Sequence, residues 1–302
     1  IPKKATGITS SSKISAQTFE RFNPTDIPSA INQISGVYIL SGAINTNRIT
    51  IRGIGARTPF GTNKLRMYFN GIPVTNGTGV STIEAYDVED LGAVEVIKGP
   101  KATAFGSNLG GAILLDTKAS VEDKTQLINS LTVGSYQMFK DNLTFSHSES
   151  GLNVSLSYNH LETDGFRQNN RFERDGLLLN TQFRTGQKSS MALLINYLDY
   201  TAQIPSSLNQ TDFEEDPTRA PNNWLESQGF EANNYILTGL SHTYQFSETF
   251  QNTTSIFYTY LDHYEPRPFN ILDEFTNGFG FRSRFAGKWG RADFSFGGEL
   301  YK

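Results

Sequence analysis

The sequence predicts an α+β domain over residues 1–122, followed over 123–302 by antiparallel, membrane-crossing β-strands that form part of a barrel. Three observations carry this. Hydrophobic residues are only 37% of the 302, yet Phe, Tyr and Trp number 22, 13 and 2 against three Met and no Cys, a β-type composition with aromatics in place of aliphatics. From about Leu127 onward, apolar and polar side chains alternate at period 2. The connections between those runs are by turns short and long, the asymmetry of outer-membrane barrels.

The first half has mixed grammar. Asn23-Pro24-Thr25-Asp26 introduces a helix that Thr25 or Asp26 can cap, with Pro28 tolerated in the first turn and Ile27, Ala30, Ile31 and Ile34 as its apolar stripe. Gly36 closes it. Strands are expected at Arg48 to Arg52, Leu65 to Phe69, Ala93 to Ile97 and Ala112 to Asp116. Glycine-rich turns separate them, among them Gly53-Ile54-Gly55, Asn70-Gly71 and Gly77-Thr78-Gly79.

The second half reads as about nine strands, beginning near residues 126, 138, 152, 177, 190, 234, 251, 277 and 291. In LNVSLSYNH, for instance, Leu152, Val154, Leu156 and Tyr158 share one face and Asn153, Ser155, Ser157 and Asn159 the other. Tight turns are expected at Glu149 to Gly151, Gly186 to Lys188, Ser247 to Thr249 and Trp289 to Arg291. Longer polar loops are expected at Thr163 to Arg174, about Ala202 to Ala232, and Tyr264 to Thr276. A soluble β-sandwich would explain the alternation alone. The steady phase of short and long connections, with aromatics near the strand ends, favours a barrel.

Composition removes several function classes. A net charge of -4 argues against nucleic acid as a partner, and the absence of cysteine excludes disulfides, thiol nucleophiles and thiolate metal sites. No run of 18 apolar residues exists, so only strands of roughly 9 to 11 residues could cross a bilayer. His147, His160, His242 and His263 lack metal-ligand spacing, and no Ser/His/Asp set has a nucleophile turn, so neither a metal, a cofactor nor enzymatic activity is expected. The acidic run Asp212, Glu214, Glu215 and Asp216 reads as a solvated loop face.

The strings AINQISGVYI, RITIRGIG, MYFNGIPV and VEVIKGPKATAFGSNLGGAILLDTK occur in the order and at about the spacing of the plug domain of TonB-dependent outer-membrane receptors, and the second half resembles the start of their barrel. The resemblance covers essentially the whole chain. It implies an outer-membrane location in a Gram-negative bacterium and TonB, with its inner-membrane motor, as partner. It also implies import of a scarce ligand, foremost a ferric siderophore or ferric citrate, with cobalamin or an oligosaccharide as alternatives. A surface binding or adhesion protein without transport is the competing class. A plug of this size needs a barrel of about 22 strands, so the chain is expected to be the N-terminal part of a longer receptor that alone neither closes nor transports. No TonB-binding box stands before Lys13, and it is expected upstream.

Two sets of residues follow. Ligand contacts are expected from outward plug loops (Arg57, Phe60, Asn63, Lys64, Thr75 and Asn76) and from barrel loops (Arg167, Arg171, Arg174 and Trp224), the cations making a vestibule for an anionic chelate. Structural or gating roles fall to Gly99, Pro100, Gly106, Gly110 and Gly111, which stop the strand and permit close backbone approach. They also fall to Arg52 and Glu95, charges in strand-like segments that need solvent or partners. Asn70 stands where the family more often has Asp, and an Asn-Gly turn is equally compatible with positive φ.

Overall fold

The structure, a computed structural model, describes residues 11–19, 21–22, 25, 27–41, 44, 47–56, 64–74, 83, 86–99, 105, 110–118 and 123–302. In the N-terminal part, β1 (Ser11–Ser15), α1 (Ala16–Phe19) and α2 (Ile27–Ile31) are followed by the antiparallel pair β2 (Val37–Ser41) and β3 (Asn47–Ile51). Then come β4 (Leu65–Phe69), β5 (Ile72–Pro73), a 3-10 turn (Val88–Asp90), β6 (Leu91–Lys98) and β7 (Gly111–Thr117). A five-stranded sheet takes the order β1-β6-β7-β4-β5, with β4 and β7 parallel.

The predicted helical stripe is the buried face of α2 and the turn after it: Ile27, Ala30, Ile31 and Ile34 all lie in the core. The four predicted strands form, within a residue or two. Arg52 is the exception. It lies just past β3, exposed, with a left-handed φ of 51°, and its backbone N–H donates to Gly36 O at 2.8 Å. The strand thus ends one residue earlier than expected, and Arg52 reaches solvent, one of the two outcomes expected of it. Gly111 shows why glycine is required after the β6 turn, because its φ is 129° and a Cβ there would sit 2.0 Å from Ile97 O. Asn70 and Gly71 both take positive φ, 49° and 81°, as the Asn-Gly turn joining β4 to β5 demands.

From Lys124 the chain is a nine-stranded antiparallel meander in sequence order. Its strands are β8 (Lys124–Val133), β9 (Phe139–Glu149), β10 (Leu152–Thr163), β11 (Phe172–Arg184), β12 (Ser189–Gln203), β13 (Phe230–Ser247), β14 (Phe250–Pro266), β15 (Ile271–Trp289) and β16 (Ala292–Tyr301). The longest connection, 204–229, carries α3 (Gln210–Glu215) and α4 (Asn222–Ser227). The third long loop expected at Tyr264 to Thr276 is corrected. β14 and β15 continue to a turn of residues 267–270, closed by Arg267 N–H donating to Asn270 O at 2.8 Å.

Register explains the two faces. Leu127, Phe145, Leu156, Leu179, Ile195, Thr238, Tyr258 and Phe279 stand opposite one another across β8 to β15, an apolar row on the outward face. Nearer the long loops, a second outward row is polar: Asp141, His160, Asp175, Asp199, Asn234 and Asp262. At about 3.3 Å per residue the 19-residue β15 spans about 60 Å, more than a hydrocarbon core of about 30 Å requires. The polar row marks where the wall rises out of the apolar belt. Near the short turns, Tyr244, Phe246, Phe250, Phe285, Phe294 and Phe296 form a cluster of ring contacts, the girdle expected at a membrane interface. No helix among the described residues is long and apolar enough to cross a membrane.

The N-terminal domain packs on the other, inward face. Its core of α2, β2, β3, β4, β6 and β7 side chains continues into Leu178, Leu194, Leu237 and Phe257 of the wall.

Candidate functional site

The contact between domain and wall is built from the 3-10 turn ahead of β6. Asp87 caps that turn, its carboxylate accepting from Glu89 N–H at 2.9 Å, which aims Asp87, Glu89 and Asp90 at the wall. Period-2 alternation turns Lys140 of β9 and Arg174 of β11 inward to meet them. Lys140 Nζ lies 3.0 Å from Asp87 Oδ1 and 3.2 Å from Glu89 Oε2, and Arg174 Nη2 pairs with Asp87 Oδ2. The side chains of Asp87, Lys140 and Arg174 are 1%, 0% and 5% exposed, so this is an ion triad removed from solvent. Ser130 donates to Glu89 Oε1 at 2.6 Å and Ser157 donates to Asp90.

Burial alone would raise the Asp87 carboxyl, but Arg174 and Lys140 outweigh it and hold Asp87 below its ordinary value. Asp90 goes the other way. Burial, reinforced by the charge of Asp87, pushes it up to about 7. One turn thus holds a carboxylate fixed in its ionised form beside one poised to take a proton.

Two further contacts complete the interface. Asn70, in the β4–β5 turn, accepts from Thr117 N–H at 3.0 Å and donates to Asn180 of β11 at 3.3 Å. At the other edge, the Arg282 guanidinium of β15 lies 4.4 Å from the Tyr68 ring centroid and 5.4 Å from that of Phe105. Glu299 of β16 binds both Arg282 (3.0 Å) and the Tyr68 hydroxyl (3.2 Å). Burial pushes that hydroxyl up to about 12, so it stays a donor.

The predicted ligand residues divide. Arg57, Phe60, Asn63, Thr75 and Asn76 lie outside the described residues, as do Pro100 and Gly106. Lys64 is exposed at the start of β4. Arg167 is committed to the loops themselves, donating to Arg219 O at 2.9 Å, to Pro205 O at 3.2 Å and to Ser206 O, which ties 164–171 to 204–229. Arg171 is exposed between Glu162 (3.8 Å) and Glu173 (3.3 Å). Trp224 of α4 packs over Gly229, where a Cβ would meet its ring at 2.5 Å. Arg174 is the correction: expected in an outward vestibule, it is buried beneath the loops on Asp87, because β11 begins at Phe172 and alternation points Arg174 inward. Glu95 stays on the domain's own sheet, opposite Lys13 of β1. Gly99 and Gly110 close the β6–β7 turn through a 3.0 Å backbone hydrogen bond.

Sequence reasoning missed the triad. Its one-sided signal was the acidic run Asp87-Val88-Glu89-Asp90 just ahead of a strand.

A domain wedged on the inner face of a membrane-type wall of nine strands, and fastened to it by buried charge, is the arrangement of a plug against part of a barrel. Residues 3–113 match the family model described as the TonB-dependent Receptor Plug Domain. Among solved structures, the ferric citrate transporter FecA in its unliganded form is 16% identical, with TM-score 0.77 over 97% of this chain and 48% of that one. The ferric yersiniabactin uptake receptor FyuA from Yersinia pestis is 17% identical, with TM-score 0.79 over 96% of this chain and 47% of that one. The copper transporter OprC is 14% identical, with TM-score 0.75 over 96% and 45%. Residues 3–113 thus carry a plug domain of that family, and the chain shares with these structures the fold of a plug against part of a barrel. It spans about half the length of these solved structures.

Proposed function

We propose that the chain is the plug and the adjoining wall of an outer-membrane importer that takes up a scarce ligand, foremost a ferric siderophore or ferric citrate, with TonB and its inner-membrane motor as the partner that moves the plug. The observation that carries this reading is the ion triad of Asp87, Lys140 and Arg174, which fastens plug to wall without a covalent bond. Such a fastening holds one arrangement tightly and can be exchanged for another when a ligand and a partner favour it. The ferric chelate is supported by the names of two of the matched structures and by the exposed Arg171 and Lys64 at the outer end of the plug and wall. Outer-membrane residence in a Gram-negative bacterium follows from the same reading, with lipid against the apolar row. No chemistry on the ligand is required, because binding and a two-state blockage suffice.

The test is uptake of radiolabelled ferric citrate and ferric siderophores by cells carrying the complete receptor, with TonB present or deleted. Accumulation that depends on both receptor and TonB is the expected result. Uptake that is unchanged without TonB contradicts the reading.

A further inference from the structure

The plug meets the wall in two different ways. Over β8 to β10 most inward side chains are polar, among them Ser130, Asn142, Thr144, Ser155, Ser157 and Asn159, with Ile128 and Leu161 the apolar exceptions, and the plug answers with Asp87, Glu89 and Asp90. Between them lies a cavity of about 90 Å³, bounded by Glu89, Asp90 and Thr117 on the plug and by Ser130, Asn142 and Ser155 on the wall. A water needs only roughly 10–15 Å³ of such space and two to four polar partners, so this cavity is a place for several. Asn142 Nδ2, buried at its edge, finds no acceptor among the described residues. The cavity lies on the short-turn side of the triad, since Lys140 and Arg174 stand near the long-loop ends of β9 and β11.

On β11 polar contacts, Arg174 to Asp87 and Asn180 to Asn70, alternate with an apolar one at Leu178, and over β12 to β14 the plug's core is met by apolar side chains. Leu178, Leu194, Leu237 and Phe257 join the plug's own core. Ile72 fills the space over Gly239 so closely that a Cβ there would be 2.0 Å from Ile72 Cδ1.

These halves answer a pull differently. The buried pairs of Asp87 with Lys140 and Arg174 are the lock that ligand and partner must release first. Once they part, the remaining hydrogen bonds to the wall can be exchanged for hydrogen bonds to water with little net change, and the cavity has room for that water. Exposing the apolar seat costs free energy in proportion to its area. We propose that the plug parts from the wall along β8 to β10 and pivots on its seat against β12 to β14, so that the ligand passes along the β8–β10 face. This deepens the importer reading and rests on it.

This sequence has no cysteine, so once any cysteine in the rest of the receptor is replaced, engineered thiols report cleanly. In the complete receptor, Asp90→Cys with Ser157→Cys bridges the seam, and Ile72→Cys with Gly239→Cys bridges the seat. Each pair is joined by oxidation or by a short bifunctional thiol reagent, and ferric citrate uptake is compared in joined and reduced forms. Joining the seam should cut uptake at least tenfold, and joining the seat should leave most of it. Equal loss from both, or loss from the seat alone, overturns the pivot. As a second measurement, Asn142→Cys should react with a water-soluble maleimide several-fold faster in energised cells supplied with ligand than in de-energised ones, while Leu194→Cys, on the apolar seat, should not change. The reverse order overturns the proposal. Failure of the reduced and unmodified proteins alike to import any ligand in a TonB-dependent way overturns the importer reading itself, and the pivot with it.

Discussion

Asp87→Ala is the perturbation that reaches furthest into this account. It leaves Lys140 and Arg174, whose side chains are 0% and 5% exposed, without the carboxylate that faces both. Removing one member of a buried ion pair costs about 3–5 kcal/mol, because the partner charge stays desolvated. Glu89 remains 3.2 Å from Lys140 and offsets part of the loss. The lower end, about 3 kcal/mol, is therefore expected, which is roughly a hundredfold in the equilibrium for plug opening. The assay is thiol labelling at Ala112→Cys, a fully buried position on β7, in the reconstituted receptor. Where opening and closing are fast relative to labelling, the rate follows the open population. Asp87→Ala should speed labelling about a hundredfold. Replacing the set together, with Asp87→Leu, Glu89→Gln, Lys140→Met and Arg174→Met, should recover most of the protection because no member of the ion network is left charged and unpaired. Labelling within about twofold of the parent in Asp87→Ala would refute the claim that the triad holds the plug.

Three other outcomes are expected. Gly239→Ala should destabilise plug seating by about 1–3 kcal/mol through overpacking, and Ile72→Val, which removes the Cδ1 atom in the way, should reverse it in a urea titration of plug release. Asp90, raised to about 7 from an ordinary 3.8, holds its proton more tightly folded than unfolded. Its contribution is thus present in full below the ordinary value and lost as pH rises through about 7, so plug resistance to limited proteolysis should fall from about pH 5 to about pH 8 in the parent and stay level in Asp90→Asn. Arg171→Gln should raise the Kd for an anionic ferric chelate by about tenfold, one charge-assisted hydrogen bond, with plug resistance unchanged, whereas Arg174→Gln should loosen the plug.

What the sequence made legible follows from what each face must meet. The nine strands were readable because the outward side chains of the apolar row must be hydrocarbon-compatible while their neighbours face polar groups. The upper ends of β11, β13 and β15 were not. There the outward residues Glu173, Asp175, Asn234 and Asp273 stand above the belt, and polar side chains on a strand look like a loop. β12 hid its inner face for the opposite reason, since Leu194 and Leu198 are apolar toward the lumen, with Leu194 packed on the plug. The triad was illegible because its partners lie 53 and 87 residues apart, and only the fold brings Lys140 and Arg174 to Asp87. Arg174 misled through its neighbours, two of which, Arg167 and Arg171, do lie in the outer loop.

The central claim is that residues of the N-terminal domain close the lumen of a membrane barrel. Its most direct test is the conductance of the complete receptor in planar bilayers, with and without residues 1–122. The protein should be nearly silent with the domain in place and a large, stable, ohmic pore once it is removed. Equal conductance in both forms would contradict it.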